Sequence, residues 1–304
     1  MLVDAARFAV GLAFLAAASF QDWRTRRIDD RLWVAMGTAG LLLFAVDGYW
    51  GGLPWEHYLI LVPAAVLFYA TFYGEELWTE EGFRFRPLRI GLFFTAFLAL
   101  AYEGYALLPG PNAALFYLDL AIPAMILIAF GFYVMGLLHG GADAKALMAI
   151  TLVAPVYPVL GGFPLIQFDP RLAGALEVVY PFSLVVLTNA ALVFVLAPLV
   201  LLAYNARRGT VRFPHALFGY RVPIDAVPRF AWVMEVIVGG ERKAVLSPRR
   251  TRDREEMLAN LRGIGATDVW VMPQIPFIVP MLAGFVVAFL VGNVLFGLMT
   301  VLLP

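Results

Sequence analysis

Two aspartates lie where long apolar stretches meet polar ones, and their positions could support acid–base chemistry. Asp22 follows the apolar stretch 8–20, and Asp143 stands between the apolar stretches 118–138 and 144–160. Ionisable side chains at membrane segments are rare and mostly functional. Two close carboxyls titrate as a pair, so that one keeps its proton while the other is ionised. Such a pair can deprotonate a water molecule and protonate a leaving group, which is hydrolytic chemistry.

Each aspartate also has a simpler interpretation. Asp143 follows Gly140 and Gly141, and it could be the N-cap of the next helix, a position that aspartate favours. Asp22 could be a solvated loop aspartate, since four arginines follow it before residue 32. The two glycines permit close backbone approach and unusual dihedral angles beside Asp143. From position alone these alternatives stay open.

The composition is that of a membrane protein. Of 304 residues, 62% are hydrophobic and 14% are charged, and the mean hydropathy is +0.82. A soluble globular chain has about 45–50% apolar and about 25% charged residues. Cysteine is absent, which excludes disulfides, a thiolate nucleophile and cysteine-based zinc sites. The three histidines, His57, His139 and His215, are far apart in sequence. We therefore expect neither a metal nor another cofactor.

Eight apolar stretches approach the length needed to cross a bilayer, the first of them together with its flanking residues, and the second and sixth are short. They are 8–20, 32–46, 58–73, 90–108, 118–138, 144–160, 180–204 and 275–303. If the connecting segments alternate sides, 20 of the 22 Lys and Arg residues fall on one side, which the positive-inside rule makes cytoplasmic. The sequence thus predicts an all-α polytopic membrane protein with about eight transmembrane helices.

A polar region before the last stretch predicts a small α/β cytoplasmic domain. Residues 232–238 and 242–246 have strand character and flank a Gly-Gly turn, 251–261 has helical periodicity, and 266–272 has strand character again. We expect three segments: a membrane domain with the catalytic motifs at 1–204, the cytoplasmic domain at 205–271, and a final transmembrane helix at 272–304. No basic-aromatic pattern indicates nucleic-acid binding.

Three motifs resemble those of the type IV prepilin peptidases, which are GxGD aspartyl proteases. Ser19-Phe20-Gln21-Asp22-Trp23-Arg24 resembles their first motif. Gly140-Gly141-Ala142-Asp143-Ala144-Lys145 resembles their second, in a form typical of the archaeal branch, with Ala142 in place of the strict glycine. Residues 271–280 resemble the entry to the final helix of archaeal preflagellin and prepilin peptidases.

The resemblance implies an activity and its partners. The protein would be a membrane endopeptidase that cleaves the short basic leader of pilin-like or archaellin precursors at the cytoplasmic face of the cell membrane. Asp22 and Asp143 would be catalytic. Gly140, Gly141, Ala142 and Lys145 would support the motif, Lys145 as an interface anchor that could also favour ionised Asp143. The partners would be a precursor with a basic leader and a hydrophobic helix, and the lipid bilayer.

Other polar residues have two interpretations each. An acidic cluster could bind the basic leader, or it could pair with Arg84, Arg86 and Arg89 in the same loop; it consists of Glu75, Glu76, Glu80 and Glu81. Asn189 lies within the seventh stretch, where a helix–helix hydrogen bond is more common than a substrate contact.

Two other classes of protein use membrane carboxylates. Presenilin-like and signal-peptide-peptidase-like proteases carry their motifs in adjacent mid-chain helices, with a Pro-Ala-Leu motif near the end, and neither feature is present here. Proton-coupled transporters place such carboxylates at mid-depth in broken helices. The position of both aspartates at the ends of apolar stretches argues against a transporter.

Overall fold

The computed structural model describes residues 1–74, 78–79, 82–138, 140–167, 170–246 and 254–302. Within them the chain forms two compact units, residues 1–191 with 277–304, and residues 192–276. The first unit is helical, and the second contains the larger sheet.

Five helices are long and apolar enough to cross a membrane. They are α1 (Leu2–Thr25), α2 (Asp30–Gly51), α4 (Pro87–Leu107), α5 (Ala113–Val134) and α8 (Phe182–Arg207). The other described helices in the first unit are shorter: a 3₁₀ helix (Trp55–Ile60) that runs into α3 (Leu61–Ala70), then α6 (Gly141–Val153), α7 (Pro170–Val179), α11 (Ile278–Leu290) and α12 (Val294–Leu302). A two-stranded ribbon, β1 (Trp78–Thr79) with β2 (Gly82–Phe83), lies between α3 and α4. The chain is a multi-pass membrane protein, and the number of eight spans stays a prediction.

Helix α6 lies at the centre of the first unit. Nine of its residues, Ala144 and Ala146–Val153, are buried, and it packs against α1, α2, α3 and α5. Gly40 of α2 lets the two backbones meet, since a Cβ atom there would lie 2.5 Å from the carbonyl carbon of Leu152. Small residues allow such close approach of helices in membranes. The central position of α6 fixes where its first turn lies.

The last apolar stretch is broken, where the sequence predicts one helix. Asn189 of α8 is buried, and its side-chain amide donates a hydrogen bond to the carbonyl of Gly292 (2.9 Å) and accepts one from the backbone N–H of Val294 (3.3 Å). Gly292 itself has φ of +99°, a region that favours glycine. The predicted helix–helix hydrogen bond of Asn189 is therefore confirmed, and it stabilises the break between α11 and α12.

A buried polar cluster ties α4 and α5 to the 3₁₀ helix. His57 Nδ1 and Asp119 Oδ2 are 2.7 Å apart, and the two residues are 4% and 2% exposed. The carboxyl of Glu103 is fully buried close to both, and neither of its oxygens has a hydrogen-bond partner within the described part of the chain. The His57 ring also stacks on Phe44, in the second half of α2. The cluster therefore lies towards the end of α2 opposite to Asp30.

Replacing Asp119 with alanine should destabilise the protein without altering the region around Asp22 and Asp143. A buried polar group that loses its hydrogen-bond partner costs about 1–3 kcal/mol, and His57 would lose its partner here. Thermal unfolding in detergent measures the effect. Asn112→Ala is the control, because Asn112, the N-cap of the same helix, is exposed and its side chain makes no capping hydrogen bond. Equal melting temperatures for Asp119→Ala and the unmodified protein would contradict this account.

The second unit contains a three-stranded antiparallel sheet and a hairpin. The sheet has the order β3 (Tyr220–Pro223), β7 (Asp268–Pro273), β4 (Ala231–Val233), and the hairpin pairs β5 (Glu235–Val238) with β6 (Glu241–Ala244). Gly239 and Gly240 have φ of +63° and +81°, as the predicted Gly-Gly turn requires. Helices α9 (His215–Phe218) and α10 (Arg254–Gly263) complete the unit. The predicted strands at 242–246 and 266–272 and the predicted helix are present with shifted ends, and residues 251–253 lie outside the described residues. The strand predicted at 232–238 is instead divided at Met234 between β4 and β5, which belong to different sheets.

Candidate active site

Asp22 lies in the last turn of α1. The helix ends at Thr25, and Arg26 adopts the left-handed conformation with φ of +55°, which directs its backbone N–H to the carbonyl oxygen of Asp22 (3.0 Å). The neighbouring Trp23 is 63% exposed, whereas Asp22 is only partly exposed. Asp22 is therefore a helix residue near the core and not a solvated loop residue.

Asp143 lies in the first turn of α6, but it is not the N-cap. That position belongs to Gly140, and Asp143 is the third residue of the helix. Its carboxyl accepts a hydrogen bond from the backbone of Gly140. This is the returning half of a capping box, in which the third helical residue reaches back to the N-cap amide. The N-cap interpretation of Asp143 is thus wrong, although its side chain does stabilise the start of the helix.

Gly140 is in close contact with this carboxyl group. A Cβ atom at Gly140 would lie 2.6 Å from Asp143 Oδ2 and 3.1 Å from its Cγ. The backbone of Gly140 is extended, with φ of −107°, so a side chain there would be opposed by the Asp143 carboxyl, which would have to shift, and not by the dihedral angle. The next glycine is less constrained, because a Cβ atom at Gly141 would meet the Tyr133 ring at 3.6–3.9 Å.

The structure brings the two aspartates together across about 120 residues of sequence. Asp22 and Asp143 are close enough for the charge of one to act on the other. Two neighbouring negative charges in a partly desolvated site disfavour each other, which favours the form of the pair that carries one proton. The arrangement can provide both a base for a water molecule and an acid for a leaving group.

Lys145 does not direct its charge at Asp143. Its ammonium group is 2.7 Å from Asp30 Oδ1, at the first turn of α2, and lies 5.1 Å from the centre of the Phe72 ring. Residues two positions apart do not face each other on a helix, which separates Lys145 from Asp143. Lys145 therefore links α6 to α2. Its main interaction is the ion pair with Asp30, and not a contact that would favour the ionised form of Asp143.

Breaking this ion pair should have a small effect on activity. Lys145 is 24% and Asp30 53% exposed, and exposed ion pairs contribute about 0.2–1 kcal/mol. We expect Lys145→Met and Asp30→Asn each to change cleavage by less than about fivefold. Cleavage rates of the two variants measure this. A loss as large as that for an aspartate of the pair would make Lys145 part of the catalytic machinery.

The acidic cluster Glu75, Glu76, Glu80 and Glu81 lies outside the described residues. Both interpretations of it, leader binding and pairing with nearby arginines, stay predictions. Among the residues that the structure does describe, no group of three or more His, Asp or Glu side chains has the arrangement of a metal site.

One residue near the pair was missed by sequence reasoning. Tyr133, near the end of α5, is 46% exposed, and its ring lies 3.6–3.9 Å from the place that a Cβ atom at position 141 would take. The sequence carries no signal for this proximity, because tyrosine at the end of an apolar helix is typical of any membrane interface.

Comparison with known proteins agrees with the motifs. The model of the type IV leader peptidase family matches residues 9–83, and that of the archaeal peptidase A24 C-terminus, type II, matches residues 211–294. Asp22 lies within the first match, and Asp143 lies between the two. A preflagellin peptidase of Methanococcus voltae is 22% identical over 303 residues, which is 98% of each chain. The chain therefore belongs to the archaeal type IV leader peptidases, a family of membrane peptidases.

Proposed function

We propose that this protein is a membrane aspartyl endopeptidase that removes the short basic leader from archaellin or type IV pilin-like precursors. The observation that carries the proposal is the proximity of Asp22 and Asp143 in a chain of the leader peptidase family. The similarity to the preflagellin peptidase along almost the whole of both chains supports the substrate class.

The proposed mechanism divides the work between the two carboxyls. The ionised aspartate takes a proton from a water molecule, whose oxygen attacks the carbonyl carbon of the scissile peptide bond. The protonated aspartate donates its proton to the carbonyl oxygen, which gives a tetrahedral gem-diol intermediate. As the C–N bond breaks, the other aspartate gives the proton that it took from water to the leaving amine, and a hydroxyl of the intermediate returns a proton to the first aspartate as the new carboxyl forms. General acid–base catalysis of this kind contributes about 10² to 10⁴ in rate. Gly140 and Gly141 would leave room for the substrate backbone beside Asp143.

The site would act at the cytoplasmic membrane face. Arg24 and Lys145 are close in sequence to the two aspartates, and 20 of 22 basic residues share their side in the predicted topology. A precursor places its scissile bond between a charged leader and a hydrophobic helix, so that bond would lie at the depth of the pair. The acidic residues of the 75–81 segment are our proposed contacts for the basic leader.

Neither alternative class gains support. A presenilin-like protease would carry its aspartates in adjacent helices in mid-chain, whereas here they lie in α1 and α6. A proton-coupled transporter would carry them within broken helices. The break in the last apolar stretch lies after α11. It is at the other end of α11, at Ile278, that the backbone carbonyl accepts a hydrogen bond from Ser19 in α1. The aspartates themselves lie at ends of unbroken helices.

The test is cleavage of an archaellin precursor by the purified protein in detergent. The expected product is the mature chain, with its new N-terminus at the junction between leader and hydrophobic segment, as read by mass spectrometry. A precursor whose basic leader residues are replaced by glutamate is the control and should be cleaved more slowly. Absence of cleavage by a folded protein across several such precursors would refute the proposal.

A further inference from the structure

A short loop directly follows the apolar helix α8 and carries a concentration of exposed arginines. Helix α8 ends at Arg207, and residues 206–213 form the basic loop, with the sequence Ala-Arg-Arg-Gly-Thr-Val-Arg-Phe. If α8 crosses the bilayer, the basic loop emerges at the membrane surface.

The basic loop has a defined conformation that one buried side chain organises. The amide nitrogen of Asn205, which is fully buried, donates to the carbonyl oxygens of Leu201 (2.9 Å), Ala216 (3.0 Å) and Gly219 (2.8 Å). The backbone N–H of Thr210 returns to the Asn205 carbonyl at 3.0 Å. These bonds hold both ends of the loop against the end of α8. The arginines are thus presented on an ordered structure and not on a free tail.

The side chains of the basic loop combine positive charge with exposed apolar groups. Arg207, Arg208 and Arg212 are exposed, and none of them belongs to an ion pair with a described residue. Phe213 is 76% and Val211 53% exposed. By contrast, Arg221, Arg242 and Arg262 in the same unit are paired with carboxylates. The described ion pairs of this unit therefore leave the positive charge of the basic loop without a neutralising partner among the described residues.

We propose that the basic loop is a binding surface for anionic phospholipids of the membrane that α8 crosses. Its arginines would bind lipid phosphate groups, while Val211 and Phe213 reach into the boundary between headgroups and acyl chains. Each basic residue next to a membrane helix strengthens the binding of its segment to an anionic surface about fivefold. Aromatic side chains favour the same interface. Arg208 also lies 4.5 Å from the centre of the Tyr204 ring on α8, which directs it back towards the interface.

A membrane surface fits this chemistry better than a nucleic acid or an acidic protein. Val211 stands between Arg208 and Arg212, Phe213 directly follows Arg212, and α8 leads into the loop. The proposal depends on α8 crossing the membrane and does not depend on the catalytic role of either aspartate.

The experiment uses a thiol at position 211, which the absence of cysteine makes unique. Val211→Cys in the full chain is placed in nanodiscs of phosphatidylcholine, with or without phosphatidylglycerol. Its rate of reaction with an uncharged, bulky maleimide reports burial of the loop in the headgroup layer. We expect the rate to be at least about fivefold lower in the anionic nanodiscs, and to recover at high salt. Leader cleavage should be the same as without the substitution.

Matched variants separate the basic loop from the general charge of the unit. Replacing Arg207, Arg208 and Arg212 with glutamine should abolish the difference between the two lipids. Replacing Arg221, Lys243 and Arg262 with glutamine removes the same number of charges elsewhere and should preserve it. A thiol from Glu241→Cys, at the exposed start of β6, should react equally in both lipids. Equal rates at position 211 in both lipids, or equal slowing at positions 211 and 241, would overturn the proposal.

Discussion

Asp143→Asn and Asp22→Asn are each expected to lower the rate of leader cleavage by about 10² to 10⁴ while the protein still folds in the membrane. Asparagine has nearly the shape of aspartate, and its carbonyl oxygen can still accept the hydrogen bond from the backbone of Gly140. It cannot take a proton from water or carry one to a leaving group. The loss would therefore be chemical and not structural. Cleavage rates and melting temperatures of the purified variants measure the two effects separately.

Asp29 provides the control for these substitutions. It is the N-cap of α2, where its side chain accepts a hydrogen bond from the backbone of Arg31 (2.9 Å). Asparagine caps helices about as well as aspartate, so Asp29→Asn should leave cleavage and stability largely unchanged. If Asp143→Asn also cleaved at nearly the normal rate, the carboxyl would only stabilise the start of α6, and the proposed mechanism would be wrong.

Gly140→Ala should reduce cleavage severely, whereas Gly141→Ala should be tolerated. The added methyl group at position 140 would lie 2.6 Å from Asp143 Oδ2, well inside contact distance, so the carboxyl must move. A displacement of about 1 Å in a catalytic group can cost about 10²-fold in rate. At position 141 the methyl group would make ordinary contacts of 3.6–3.9 Å with Tyr133.

This pair of variants tests whether geometry at Asp143 limits the reaction. Both substitutions add one methyl group at the start of α6, and neither glycine has a positive φ, so differences in backbone strain should be small. Kinetics at saturating substrate should show the loss for Gly140→Ala in kcat. Equal activity of the two alanine variants would mean that the position of the Asp143 carboxyl is not critical.

The sequence, together with the resemblance of its two motifs to the type IV prepilin peptidases, predicted that Asp22 and Asp143 meet. Asp22 and Asp143 each lie at the end of an apolar stretch. A carboxylate at a membrane segment costs so much free energy that its presence indicates a function. The hairpin of β5 and β6 was likewise predictable, because Gly239-Gly240 between alternating strands has few other conformations. In both cases the signal is local in the sequence and physically restrictive.

Other features depend on contacts between distant residues and have no local signal. The break between α11 and α12 is stabilised by Asn189, about 100 residues earlier, so hydropathy alone predicts one helix. The His57–Asp119 pair joins segments 62 residues apart. Asp143 is the third residue of α6 because of where that helix begins. The sequence gives little indication of this boundary, because the N-cap is a glycine. The sequence suggested Lys145 as an interface anchor that could also favour ionised Asp143, and it gave no signal for the ion pair with Asp30, 115 residues earlier.

The most direct test of the central claim, that Asp22 and Asp143 act as one proton-sharing pair, is the double variant Asp22→Asn, Asp143→Asn. Its cleavage rate is compared with those of the single variants at excess enzyme, with product detected by mass spectrometry. Residues that act as a unit are not additive, since losing either member removes the function of both. We predict that the double variant cleaves within about twofold of the slower single variant. Losses that multiply would show two independent contributions and would contradict the account.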